Sequence, residues 1–371
     1  MMSKSPDRKS RFRGVLLGTA VGDSIGLPAE GLSPGRAARL FPGRWRQRLF
    51  LGSGMISDDT DHTVFVAQSL LAHPVSPSAF QRRLAWCLRL WLLSLPAGIG
   101  FATLRSILRL WIGISPNRSG VFSAGNGPAM RIAPIGAFFA DHEDMLDAYV
   151  EASTRLTHSD PKALTGSLVV ARLVAWCVRE ALVDRPDSQV FEELLRDAGD
   201  DSEWQTLVDA VADAVSADLS VEAFAVSLDL SRGVTGYIYH TIPVVAYSWY
   251  RHFGDFERTL TAVMDCGGDT DTTGAIAGAL AGAVVGDEGI PHDWVSDLRD
   301  WPRSPRLLLR IADRLDHQVE ELAEVAPLVR DAAPVRKLGP VRYAWPILVF
   351  RNLFLLVLVL LHGFRRLAPP Y

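Results

Sequence analysis

The sequence predicts an all-α globule, and three observations carry that expectation. Apolar residues recur at three- and four-residue spacing along Ser167 to Leu182, Trp204 to Leu219 and Pro305 to Leu322, the period of helices with one buried face. Alternating strand patterns are scarce, and neither a βαβ rhythm nor a hairpin signal appears. A chain of 371 residues that is 48% apolar and 22% charged can also bury a large core.

Taken in order, the chain opens on a basic run, Lys4, Arg8, Lys9, Arg11 and Arg13, read as a solvated, disordered terminus over residues 1–12. The apolar stretch Gly14 to Val21 imitates a leader peptide, but Asp23 follows at once and no cleavage site precedes it, so it is read as mature protein. A second small-residue stretch runs from Gly274 to Gly286. Each glycine inside a helix costs about 1 kcal/mol relative to alanine, so this density predicts close approach between helices. The stretch is also too short for the roughly 20 residues that a bilayer demands. The body is placed at residues 13–325, and Pro327, Pro334, Gly339 and Pro340 mark a linker over 326–344.

Lys plus Arg (38) nearly balances Asp plus Glu (42), so no nucleic-acid partner is implied. Cys87, Cys177 and Cys266 fit neither a disulfide framework nor a zinc site, which suits a reducing cytoplasm.

Two motifs carry chemistry. Ser57-Asp58-Asp59-Thr60-Asp61 opens the helical run His62 to Leu71. One helix cap does not need three carboxylates, which repel one another unless a cation sits among them. Gly267-Gly268-Asp269-Thr270-Asp271-Thr272-Thr273-Gly274 also lies at the mouth of a helix, and its D-x-D-T spacing can aim two carboxylates and a hydroxyl at one place. Oxygen-only ligands suit magnesium or manganese rather than zinc. Either cluster alone is as readily a turn and cap. Together they suggest two halves of one binuclear site.

The ordered set Gly22-Asp23-Ser24-Ile25-Gly26 with Glu30, Ser57-Asp58-Asp59-Thr60, Gly125-Asn126-Gly127-Pro128-Ala129-Met130-Arg131, Thr157-His158, Gly236-Tyr237 and Gly268-Asp269-Thr270-Asp271-Thr272 resembles the ADP-ribosylglycohydrolase family. The resemblance implies a compact all-α domain with two Mg2+ ions in a cleft, Mn2+ being a possible substitute, and hydrolysis of an ADP-ribosyl bond on a modified protein or a small-molecule conjugate. It implies Ser57, Asp58, Asp59, Asp269, Asp271 and Thr272 as metal ligands, and Glu30 and Asp59 as the catalytic carboxylates. Gly125, Asn126, Gly127, His158 and Tyr237 would contact the substrate. His62, inside the helix after the aspartates, is assigned to packing or to support of the site. Relatives that act on ADP-ribosyl-arginine often carry an aspartate in a Pro-x-Asp-x-Gly segment. Pro96-Ala97-Gly98-Ile99-Gly100 lacks it here, which counts against arginine and leaves serine, another hydroxyl, a free small molecule or a nucleic-acid terminus open as acceptor. The alternatives are a non-catalytic, crystallin-like relative and a different binuclear magnesium hydrolase.

The last segment, 345–371, lies outside the resemblance. Trp345 to Phe364 is nearly all apolar apart from Arg351, Asn352 and His362, and its length suffices to cross a bilayer. Arg336, Lys337, Arg342, Arg365 and Arg366 flank it and suit anionic headgroups. Two expectations stand: a helix buried on the body or on a second subunit, or membrane contact through 345–364, with the body on the cytoplasmic side.

Overall fold

The computed structural model describes residues 5–325 and 337–365. Among these the regular structure is helical, with only isolated β-bridges between loops. The first third holds α1 (Arg8–Gly26), α2 (Pro34–Leu40), α3 (Asp58–Ala72), α4 (Pro77–Leu93) and α5 (Phe101–Trp111). The middle holds α6 (Ala133–Phe138), α7 (Glu143–Arg155), α8 (Pro161–Arg179), α9 (Ser188–Arg196), α10 (Ser202–Ser216) and α11 (Val221–Ser227). The remainder is α12 (Ile238–Arg251), α13 (Phe256–Asp265), α14 (Thr270–Val285), α15 (His292–Ser296), α16 (Pro305–Val325) and α17 (Leu348–Arg365).

Of the three helices with the clearest sequence period, α16 starts at Pro305 as expected, and α8 and α10 begin earlier than the period shows, because caps set their starts. Asp160 accepts from Lys162 N ahead of α8, and Asp201 accepts from Trp204 N ahead of α10. The N-terminus requires a correction: helix begins at Arg8, within the segment expected to be disordered. Asp7 caps it by accepting from Ser10 N at 2.7 Å. Lys4 lies outside the described residues, and the three arginines of the run are engaged on the body. Arg8 and Arg13 each reach an aspartate of α16 at 2.6 Å, Asp316 and Asp313, and buried Arg11 donates to the carbonyl of Ala283 at 2.7 Å.

The centre of the molecule is the antiparallel pair α1 and α14. Gly14, Gly18, Gly22 and Gly26 face Gly282, Gly278, Gly274 and Thr270 at a four-residue period. A methyl group at any of the four α1 positions would overlap the facing carbonyl oxygen, so the helices touch backbone to backbone. The expected close approach is therefore made by these two glycine-rich helices on each other. Its consequence is positional: the N-terminus of α14 lies against the C-terminus of α1.

The C-terminal helix packs one face on the body. Leu355 and Leu358 join Leu27, Leu49, Met55 and Ala97 in a small apolar cluster of their own. Buried Arg351 donates through Nε to both oxygens of Asp300, at 3.2 and 3.1 Å, and Asn352 donates to the carbonyl of Ser94 at 2.8 Å. Ahead of it, the backbone of Val341 exchanges two hydrogen bonds with buried Gln68 of α3. Arg336 and Arg366, part of the expected basic flank, and most of the expected linker lie outside the described residues.

Candidate functional site

Three loop and helix starts converge where α1 ends. Two glycines with positive φ, Gly267 (65°) and Gly268 (84°), turn the chain into α14. Gly268 is held on both sides, its N–H donating to Leu32 O at 2.7 Å and its carbonyl accepting from Gly31 N at 2.6 Å. Asp269 N donates to Val234 O at 2.7 Å. This clamp brings Glu30, one residue before Gly31, beside Asp269 and Asp271, with one carboxylate oxygen of each within 4.8 Å of the others.

The other half of the acidic set is positioned by Asp23, fully buried near the end of α1. Its carboxylate accepts from Ser57 N at 2.9 Å and Thr60 N at 3.1 Å, capping α3 from outside and fixing the Ser57-Asp58-Asp59 turn. Burial, opposed by these bonds, raises its pKa to about 6. Ser57 Oγ donates to Asp59 Oδ2 at 3.0 Å, and Thr272 Oγ1 approaches the same oxygen at 3.5 Å across the two halves. Asp59 Oδ1 is buried without a hydrogen-bond partner. Burial first, and then the neighbouring carboxylates, hold Asp58, Asp59 and Asp271 well above the ordinary carboxylate range. No lysine or arginine is among the described residues lining the cleft. Such crowding, with an orphaned buried oxygen and only oxygen donors, fits a hard divalent cation.

The sequence treated Asp61 as part of the same acidic crowd, and the structure turns it the other way. Its Oδ2 accepts from Trp91 Nε1 at 2.8 Å and it pairs with buried Arg303 in the core. His62 is buried edge-on to Trp91, with ring centroids 4.5 Å apart, in a packing role.

Opposite the acids stands the Gly125-Asn126-Gly127 loop. Asn126 Nδ2 donates to Asp269 Oδ2 at 2.6 Å and to Thr241 Oγ1 at 3.0 Å, so the loop and the acidic half are joined directly. His158 backs the loop, its Nδ1 2.9 Å from Thr157 Oγ1 and its ring close enough that a side chain at Gly125 or Gly127 would press on it. Arg131, wholly buried, donates to Thr157 Oγ1 at 2.7 Å and to Gly127 O at 3.3 Å, locking histidine and loop together. Burial and that guanidinium push the His158 pKa down to about 3, so its imidazole is neutral.

Together these groups line a cleft of roughly 370 Å³, within the small-molecule range. Glu30, Ser57, Asp58, Asp269, Asp271 and Thr272 form one wall, and Gly125, Asn126, Gly127 and His158 another. Asp59 lies just behind the surface. Tyr237 is not among the lining residues, although its backbone is bridged to Gly125 of the loop and Gly236 lines the cleft; its hydroxyl bonds Glu203 at 2.6 Å and Lys162 at 2.9 Å. At the lip, Ala97, Gly98 and Gly100 stand with Leu27, Leu355 and Val359, which offer no carboxylate. Asp23 and Arg131 were given no role from sequence, although each is a charged residue in a run of small and apolar ones. The wall contributed by α17 carried no motif.

Comparison with known proteins shows the family and its fold. A family model described as ADP-ribosylglycohydrolase matches residues 4–327 and so ends before α17. An uncharacterized protein of Archaeoglobus fulgidus is 34% identical over 79% of this chain and 92% of its own length. The ADP-ribosyl-(dinitrogen reductase) glycohydrolase of Rhodospirillum rubrum is 28% identical over 87% of this chain and 99% of its own. The ADP-ribosylhydrolase ARH3 of Gallus gallus is 28% identical over 79% and 90%. A solved structure titled ADP-ribosylglycohydrolase-related protein complex superposes with a TM-score of 0.65 at 28% identity, covering 84% of this chain and 98% of that one.

Proposed function

Because the chain belongs to the ADP-ribosylglycohydrolase family and is a glycosidase of ADP-ribosyl linkages, we propose that it works with two magnesium ions held by Ser57, Asp58, Asp59, Asp269, Asp271 and Thr272. Manganese is an alternative occupant. The observation that carries this reading is the buried, unpartnered Asp59 Oδ1 among carboxylates with no cationic neighbour in the cleft. Metal at that place supplies a Lewis acid that orients ribose hydroxyls and acidifies water.

The chain's own residues do the rest. Glu30, beside Asp269 and Asp271 in the cleft wall, moves the proton between water and leaving group. Asn126 fixes Asp269 in place, and the glycines on either side of it let backbone N–H groups approach the diphosphate. Neutral His158 offers a hydrogen bond without adding charge; in the tautomer whose Nδ1 accepts from Thr157 Oγ1, the proton sits on Nε2, the nitrogen facing the loop. Hydrolysis passes through an oxocarbenium-like ribose.

The acceptor is carried on a modified protein or a small molecule in the cytoplasm. Ala97, Gly98 and Gly100 line the cleft without the aspartate that arginine-specific relatives often carry in this segment, which supports a hydroxyl-linked acceptor over arginine. Presenting ADP-ribosyl-serine, ADP-ribosyl-arginine and O-acetyl-ADP-ribose to the purified chain tests this reading. Faster release from the oxygen-linked pair is expected, and preference for the arginine conjugate overturns the acceptor assignment.

A further inference from the structure

We propose that the outer face of α17 docks in the plane of an anionic lipid bilayer while its inner face stays on the body. A helix on the surface of a soluble protein turns polar residues outward. Here, apart from Gly363, every exposed side chain described on the helix is apolar: Phe350 is 74% exposed and Phe364 68%, and Leu353, Phe354, Leu356, Val357, Leu360 and Leu361 are exposed between them.

The patch continues onto neighbouring loops. Phe50 meets Phe354 edge-on at 5.6 Å, and Leu51 beside it is 89% exposed. Ser94, which Asn352 grips, lies between exposed Leu93 and Leu95.

Charge selects the occupant. No Asp or Glu occurs between Glu30 and Asp58, between Asp61 and Asp141, or after Asp331, stretches that include α17 and the exposed Phe50, Leu51, Leu93 and Leu95; the acids beside them are Glu30, which shares a pocket with Leu360 and Phe364, and Asp297, whose carbonyl accepts from Gly54 N. Exposed arginines do occur there, among them Arg46, Arg82, Arg83, Arg105 and Arg342. The chain as a whole nearly balances its charges, so this asymmetry leaves a basic, apolar side suited to anionic headgroups over an acyl boundary.

Attachment by spanning the bilayer is disfavoured by the inner face. Lifting α17 away would strand Arg351 and Asp300, both buried, and uncover the cluster of Leu27, Leu49, Met55 and Ala97. The helix therefore lies flat, with Leu355 and Val359 still walling the cleft. The proposal does not depend on which bond the cleft hydrolyses.

Full-length protein is sedimented with vesicles of phosphatidylcholine alone and with added phosphatidylglycerol, at low and high salt. The comparison is the triple variant Leu353→Gln, Val357→Gln, Leu361→Gln, which alters only exposed positions and whose unchanged melting curve shows that it folds. Wild type is expected to bind the anionic vesicles and to weaken in high salt, with binding about 100-fold or more weaker in the variant. An epitope at the C-terminus should remain open to added protease, as a flat helix requires; protection would show a span and overturn the proposal. Absent binding by wild type, or equal binding by the variant, also overturns it. So does a concentration-dependent dimer that the variant dissolves, which would assign the face to a second copy.

Discussion

Gly18→Ala separates the two opposing consequences of glycine in α1. Inside an isolated helix the change stabilises by about 1 kcal/mol. In this structure the added methyl meets the carbonyl of Gly278, which is backbone and cannot swing aside, and also the Phe256 ring at 3.2 Å. Overpacking a dense core costs about 1–3 kcal/mol, and a backbone obstacle places this case near 3. The net loss is therefore about 2 kcal/mol. At about 2.1 cal/mol/K of unfolding entropy per residue, 1 kcal/mol moves the melting temperature of a body this long by about 1.5 °C, so a fall of about 3 °C is expected. Gly35→Ala is the control, because its methyl meets only the Arg39 guanidinium at 3.8 Å; it should leave the melting temperature unchanged or raise it. Scanning calorimetry of both variants reads the signs. If Gly18→Ala stabilises as much as Gly35→Ala, the backbone contact between α1 and α14 does not exist as described.

Other outcomes follow from the site. Magnesium at 100 times its dissociation constant should stabilise the fold by about 2.7 kcal/mol, roughly 4 °C in the same calorimetric scan; no shift up to millimolar metal contradicts the metal assignment. Asp300→Ala leaves buried Arg351 unpaired and should cost about 3–5 kcal/mol in urea unfolding, and a wild-type curve would show that α17 is not anchored there. His158 has its folded pKa lowered to about 3, below the unfolded value, so its contribution is present above about pH 6.5 and is lost as pH falls toward 3. His158→Gln should therefore flatten the stability profile between pH 6 and 4 by up to about 1.4 kcal/mol per pH unit, and an unchanged slope assigns that acid limb to other groups.

The architecture was legible because its signals are local. Helical period, glycine spacing and two acidic turns are all visible in a short window, and the glycine density of α1 and α14 already implied close packing. The two acidic turns of the cleft wall were legible for the same reason, whereas Glu30, the Gly125-Asn126-Gly127 loop and His158 are implied only by the family resemblance. What was hidden depended on long-range partners. Nothing near Asp61 distinguishes it from Asp58 and Asp59; only Trp91 and Arg303 turn it into the core. Tyr237 sits in a matching motif, and only the folded chain shows its hydroxyl engaged by Lys162 and Glu203. The basic start looked solvated because its aspartates lie some 300 positions later, in α16. Asp23 was quoted only as part of a motif, and its work as the external cap of α3 appears once α1 and α3 are adjacent.

The central claim is that carboxylates from the two halves of the chain act through divalent metal on an ADP-ribosyl bond. Its most direct measurement is release of ADP-ribose from ADP-ribosyl-serine and O-acetyl-ADP-ribose by the purified full-length chain, metal-stripped and then given magnesium. Wild type, Asp59→Asn and Asp269→Asn are compared under the same conditions. The account predicts release only after magnesium is restored, and loss of at least 100-fold in each variant while its fold persists. Undiminished release in excess chelator, or full activity in either variant, would contradict it.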